Sequence, residues 1–71
     1  MEEKIHNLKV AGAAYNIANI FDSCQSKEKV DDIIENYDIG TKELIEEACD
    51  KYEGYSSGDM TSVIIDMINN L

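Results

Sequence analysis

The 71-residue chain contains no proline, no tryptophan and no arginine. Its six positively charged side chains are all lysine. Without proline, helices are interrupted only where glycine and polar turns occur. Fifteen acidic residues give a net charge of −9, which argues against binding to nucleic acid or to an anionic membrane. No run approaches the roughly 20 apolar residues that span a bilayer, and no basic-then-apolar signal is visible, so we expect a cytoplasmic protein.

Histidine and cysteine are too few and too far apart for a metal site of ordinary spacing. His6 is the only histidine, and Cys24 and Cys49 stand 25 positions apart with no CxxC pair. We interpret both cysteines as small buried hydrophobic residues and expect neither a metal nor another cofactor. Because no serine or cysteine has an evident base partner and no glycine-rich phosphate loop precedes a helix, we do not expect an enzyme.

Helical periodicity runs through every segment between the turn residues, so we predict an all-α fold. The expected architecture is a compact bundle of four short amphipathic helices in a single domain over residues 1–71. The predicted helices cover residues 2–23, 27–37, 42–53 and 59–70. We expect Asp38-Ile39-Gly40 to end the second helix, with Gly40 free to take a positive φ, and Gly54 to end the third. Thr41 is the expected N-cap of the third helix, and Ser57 or Asp59 that of the fourth.

The first helix carries apolar residues on two sides, which places it either at the centre of a bundle or in a contact shared by two chains. Its segment 11–14, Ala-Gly-Ala-Ala, has so little side-chain bulk that another helix could approach closely. Glycine costs about 1 kcal/mol in a helix interior, which suggests a packing role for it. The candidate self-association residues are Ala11, Gly12, Ala14, Tyr15 and Ala18.

All of the net charge lies in residues 30–71, which hold eleven acidic residues and two lysines, whereas residues 1–29 hold four of each. On one helix, carboxylates three or four residues apart lie about 5–6 Å from each other, a spacing that resembles phosphates along a nucleic-acid strand. The candidate partner-binding face is the acidic side of helices two and three with one adjacent tyrosine: Asp31, Asp32, Glu35, Asp38, Glu43, Glu46, Glu47, Asp50, Glu53 and Tyr55. The alternative is that these charges only keep a small protein soluble.

The closing segment 66–70, Asp-Met-Ile-Asn-Asn, resembles the last helix of acyl carrier proteins, which are also small, acidic and four-helical. In that family the phosphopantetheine serine lies in an Asp-Ser-Leu motif that opens the second helix. The comparable triplet here, Asp22-Ser23-Cys24, lacks the leucine and falls at the end of the first helix. An acyl-carrier-like role is therefore a remote alternative.

These features favour a small protein-binding module, an inhibitor or regulator whose helices two and three dock on a basic, nucleic-acid-binding surface of a partner protein. The expected partner is thus another protein, not nucleic acid or membrane. The competing hypothesis is a self-associating structural or scaffold protein that forms a homodimer through its first helix.

Overall fold

In the computed structural model, which describes residues 2–71, the chain forms four α-helices and one short 3₁₀ turn. The helices are α1 (Glu2–Phe21), α2 (Val30–Asn36), α3 (Lys42–Tyr52) and α4 (Ser57–Asn69), and the 3₁₀ turn spans Lys27–Lys29. No β-strand occurs within these residues. The prediction of an all-α bundle of four helices is confirmed. No helix in the described part of the chain is long and apolar enough to cross a membrane.

Helix α1 is the central element, because both α3 and α4 pack against it. Within residues 2–71, α3 and α4 do not pack on each other, and α2 packs on α3 rather than on α1. The two apolar sides predicted for the first helix are thus covered by two helices of the same chain. The helices therefore follow the order α4, α1, α3, α2 across the bundle, each packed on the next. We call the side formed by α1 and α4 the α1–α4 edge and the side formed by α2 and α3 the α2–α3 edge.

The hydrophobic core lies around α1 and receives at least one fully buried side chain from every helix. The fully buried residues with the largest side chains are Ile17, Ile33, Ile45, Met60, Val10 and Cys49. Burying an aliphatic side chain of this size stabilises the fold by about 1.5–3 kcal/mol. Ala11, Ala14 and Ala48 have no exposed surface either, and their small side chains allow the helices to pack closely.

Two of the predicted helix-capping residues, Thr41 and Gly54, are confirmed. Thr41 precedes α3, and its Oγ1 accepts a hydrogen bond from the Leu44 backbone N–H at 3.3 Å. Gly54 follows the end of α3 with φ = 86°, a left-handed conformation that glycine adopts without steric cost. Helix α1 ends two residues earlier than predicted, since Asp22 already turns the chain with φ = 73°.

The other two capping predictions are wrong. Gly40 does not have a positive φ; α2 ends because Tyr37 adopts an extended conformation. The N-cap of α4 is Ser56, one residue before Ser57 and three residues before Asp59, the two predicted candidates. Its Oγ accepts from the Asp59 N–H at 3.1 Å, and Asp59 Oδ2 accepts from the Ser56 N–H at 3.1 Å, which completes a capping box. The Ser-x-x-Asp spacing carries that signal in the sequence.

The linker after α1 is tied to the loop between α3 and α4 by a two-residue bridge between Ser23 and Ser56. The Cys24 N–H donates to the Tyr55 carbonyl at 2.7 Å, and the Gly54 N–H donates to the Cys24 carbonyl at 3.0 Å. These bonds hold Cys24 against the C-terminal part of α3. The linker therefore enters the core before the chain turns into α2.

Candidate protein-binding surface

The nine predicted acidic residues line the solvent side of α2, α3 and the turns that follow them, and we call them the α2–α3 acidic surface. They are Asp31, Asp32, Glu35, Asp38, Glu43, Glu46, Glu47, Asp50 and Glu53. Eight are exposed, and the ninth, Glu46, is half-buried. Residues 30–53 contain these nine acids and two lysines, so they carry −7 of the total −9.

Helical geometry places the four acidic residues of α3 on one stripe. Glu46, Glu47 and Asp50 lie three, four and seven residues after Glu43. The opposite stripe of α3 consists of Ile45, Ala48, Cys49 and Tyr52, all buried. The helix is therefore sharply amphipathic, and its outward side is almost purely anionic.

Four residues of the α2–α3 acidic surface have a basic partner. Lys42 Nζ lies 3.9 Å from Asp31 Oδ1 and 4.0 Å from Glu46 Oε1, so one lysine bridges α2 and α3. Lys27 Nζ lies 3.3 Å from Asp50 Oδ2, and His6 Nε2 lies 2.9 Å from Glu47 Oε1. All of these pairs are exposed to solvent to a large extent, so each contributes at most about 1 kcal/mol.

The other five acidic residues have no basic side chain within 4.0 Å among residues 2–71. These are Asp32, Glu35, Asp38, Glu43 and Glu53. Lys51, the lysine nearest to Glu53 in sequence, lies over the Tyr52 ring at 5.7 Å from its centroid. The uncompensated charge creates a negative potential that extends from this side of the molecule and attracts cationic groups.

Tyr55, the one aromatic residue predicted for the partner-binding face, is 39% exposed and lies next to the end of α3. Its ring meets that of Tyr52 edge-on, with the centroids 5.3 Å apart and the planes at 74°. Burial and the proximity of Tyr55 raise the pKa of the Tyr52 phenol. This edge-to-face contact orients the Tyr55 ring beside the acidic surface.

Unlike the acidic residues, most of the residues predicted for self-association are buried. Ala11, Ala14 and Ala18 are at most 1% exposed, because α1 is covered by its own α3 and α4. Gly12 and Tyr15 remain half-exposed. The three alanines therefore lie inside the chain's own fold, and of the five predicted residues only Gly12 and Tyr15 reach the surface.

Two groupings were not foreseen from the sequence. The first is the pair of thiols: Cys24 and Cys49 are both buried, as expected, and they lie close enough to influence each other's ionisation. Interaction with the Cys49 thiol and burial raise the pKa of the Cys24 thiol, which makes it a poor nucleophile. Cys24 Sγ also lies 3.7 Å from the Ala48 carbonyl oxygen, to which it donates.

The second unforeseen grouping is a pair of shallow grooves on the two sides of α4. One is lined by Lys4, Asn7, Val63, Asp66, Met67 and Asn70, and Lys4 Nζ donates to the Asn70 carbonyl at 2.9 Å. The other is apolar and is lined by Tyr15, Thr61, Ile64 and Ile65. In sequence, Ile65 is the one isoleucine of α4 that lies off the predicted apolar stripe, and this departure is the only signal of the apolar groove.

The remaining candidates have a plain structural setting. Ser23, the serine of the carrier-like triplet, lies between α1 and the 3₁₀ turn and is bridged to Ser56, so it does not open a helix. No group of three histidine, cysteine or carboxylate side chains in residues 2–71 is arranged to hold a metal ion.

No protein-family model matches the chain, and neither a curated protein nor a solved structure is significantly similar to it.

Proposed function

We propose that this chain is a small protein-binding module, an inhibitor or regulator that docks the α2–α3 acidic surface on a basic surface of a partner protein. The observation that carries the proposal is the set of five exposed carboxylates that have no basic partner within 4.0 Å among residues 2–71. A basic partner supplies the missing counter-charges. Complementary potentials of this kind accelerate association and select for partners of opposite charge.

The shape of the charge distribution supports a nucleic-acid-binding partner. The acidic stripe of α3 spaces carboxylates about 5–6 Å apart along a rigid helix, and the carboxylates of α2 lie beside it. A groove that binds phosphates presents lysine and arginine side chains at comparable intervals. Bound there, the acidic surface excludes the nucleic acid from the groove and so inhibits the partner.

The decisive variants are Glu35→Lys and Asp66→Lys, which change the net charge by the same amount. Both residues are exposed and lie near the C-terminal end of a helix, where a lysine is tolerated by the helix dipole. Only Glu35 belongs to the α2–α3 acidic surface. A protein captured from the source cell at low salt should bind Glu35→Lys about tenfold more weakly than wild type, while Asp66→Lys should bind normally.

Two further measurements test the partner class. The affinity of the captured protein should fall steeply between about 50 and 200 mM salt, and duplex DNA or structured RNA should compete with this chain for it. Binding that does not change with salt, or that is weakened equally by both lysine variants, contradicts the proposal. Binding that resists competition by nucleic acid leaves an acidic docking surface but removes the nucleic-acid-binding class of partner.

A further inference from the structure

Apolar side chains continue past the core onto the outer side of α4. Met60 is the only buried residue of this 13-residue helix, whereas Ile65 and Ile68 are each 52% exposed. Ile64 is half-buried and lines the apolar groove together with Tyr15 and Ile65. Exposed aliphatic side chains that adjoin one another indicate a surface that another molecule covers.

Helix α1 extends this surface with an unfilled position. Gly12 lies one turn before Tyr15, and Ile5, which is 46% exposed, lies two turns before Gly12 on the same line of the helix. No atom of a neighbouring segment lies within 4 Å of the place where a Cβ would stand on Gly12. Glycine is unfavourable in the middle of a helix, and nothing in the chain's own fold requires it here. The missing side chain leaves room for a helix of another molecule to approach closely at this position.

We call this surface the outer apolar face, and it comprises Ile5, Gly12, Tyr15, Ile64, Ile65 and Ile68. The exposed polar residues Lys9, Asn16 and Asn19 surround Gly12 at its α1 margin. The face is distinguished by its charge as well as by its apolar side chains. Between Glu3 and Asp22 the sequence has no acidic residue, and the four charged residues of α1 sum to zero. Of the two acids in α4, Asp59 is held in the capping box and Asp66 lines the groove on the side of Lys4.

We infer that the outer apolar face is the contact between two copies of this chain. A second copy also carries −9, so it is repelled wherever it meets acidic residues, and the outer apolar face is where that repulsion is weakest. Pairing about a two-fold axis buries this face against itself and directs the two α2–α3 acidic surfaces away from each other. Each copy keeps its acidic surface open to a partner.

The size of the face sets the strength of the dimer. A 13-residue helix is about 20 Å long, and two packed helices present a face about 20 Å wide. Two faces of about 400 Å² each bury roughly 800 Å² in total, which is less than the area of stable interfaces and is typical of weak, transient ones. The dimer should therefore form and dissociate in the micromolar range, and the monomer should remain folded.

Sedimentation equilibrium from about 1 to 500 μM, under reducing conditions, tests this inference. The apparent mass should rise from 8.0 kDa toward twice that value with concentration. Association should become tighter when salt is raised, since salt screens the repulsion between two anionic copies. That sign is opposite to the one expected for a basic partner on the acidic surface, so the two proposals succeed or fail separately.

Ile65→Lys and Ile68→Lys should each weaken self-association by tenfold or more. Ile34→Lys is the matched control, because Ile34 is also exposed, at 37%, but lies in α2. All three variants reduce the net negative charge equally, so a loss confined to the α4 variants cannot arise from repulsion between whole molecules. Gly12→Leu, which has room to fold, should dissociate the dimer by blocking close approach.

Circular dichroism and a thermal melt establish that each variant is folded, and Gly12→Leu remains decisive if a lysine variant unfolds. A wild-type chain that stays at 8.0 kDa up to the highest concentration overturns the inference and leaves the face to a different protein. Equal weakening by Ile34→Lys, or unchanged association in Gly12→Leu, also overturns it.

Discussion

Helices α3 and α4 both pack on α1, yet they divide their residues between core and surface in opposite ways. Helix α3 buries four of its eleven residues and turns a stripe of carboxylates outward. Helix α4 buries one of its thirteen residues, and much of its apolar stripe is half-buried or exposed. The core is therefore built mainly between α1 and α3, whereas α4 is attached by fewer buried side chains.

A chain of this length is near the lower size limit for a self-sufficient core. The difference between α3 and α4 shows how such a chain can still carry two distinct surfaces, the α2–α3 acidic surface and the outer apolar face. On the α2–α3 edge, charge excludes copies of the same chain and attracts cationic groups. On the α1–α4 edge, the charges of α1 sum to zero and α4 adds two acidic residues, so repulsion is weaker and permits a contact that burial can stabilise. The central position of α1 makes this division feasible, because it joins both edges to one core.

The largest effect should come from truncating the core on the α3 side. Ile45 in α3 is fully buried, so Ile45→Ala should lower the free energy of unfolding by about 2–5 kcal/mol. Ile65→Ala makes the same chemical change in α4, but Ile65 is 52% exposed, so its cost should stay within about 0.5 kcal/mol.

Urea unfolding of both variants at a protein concentration of a few micromolar, followed by circular dichroism, gives the two free energies. A loss in Ile65→Ala that approaches the loss in Ile45→Ala would show that α4 is buried more deeply than the structure indicates. It would remove the contrast between the two helices and, with it, the exposed apolar face.

The caps of the two helices offer the next comparison. Ser56 takes part in two hydrogen bonds of a capping box at 3.1 Å, whereas Thr41 accepts one bond at 3.3 Å. We expect Ser56→Ala to cost about 1 kcal/mol or more and Thr41→Ala to cost less, by thermal unfolding. Because α4 has few buried side chains, its cap should matter more. Equal losses, or a larger one for Thr41→Ala, would contradict that dependence.

The helices themselves could be predicted from the sequence because their apolar positions recur with helical spacing. The caps at Thr41 and Gly54 could also be predicted from the sequence, since each residue type has one dominant role at a helix end. Gly40 misled the prediction because a helix can also end through an extended residue, here Tyr37, with no glycine involved. The positive φ of Asp22 carries no reliable signal, since aspartate adopts it only occasionally.

The two surfaces could be predicted only in part from the sequence. The acidic stripe of α3 follows directly from spacing, but which carboxylates lack a partner depends on lysines from other segments, as with Lys27 and Asp50. The small residues of α1 were predicted to meet a second copy, whereas the chain's own helices cover the alanines and leave Gly12 open. A periodic pattern identifies a face that something covers. It does not reveal whether the cover comes from the same chain.

The smallest effect concerns alkaline pH and is specific to α3. Burial raises the pKa of the Tyr52 phenol above its ordinary value of 10.0, so the folded state disfavours the phenolate. The stability linked to this group is fully present below pH 10 and is lost as the pH rises through and beyond that value. Urea unfolding midpoints should therefore fall between pH 8 and about pH 11, and Tyr52→Phe should fall less than wild type.

Near pH 7, Tyr52→Phe should have a free energy of unfolding within about 0.5 kcal/mol of wild type, because the hydroxyl makes no hydrogen bond to a side chain of residues 2–71. Helix α4 contains no tyrosine, so hydrogen exchange at about pH 10 should reveal the loss first in α3. An equal pH dependence in wild type and Tyr52→Phe would mean that the alkaline loss arises elsewhere, with the buried Cys24 thiol, whose pKa is also raised, as the next group to replace.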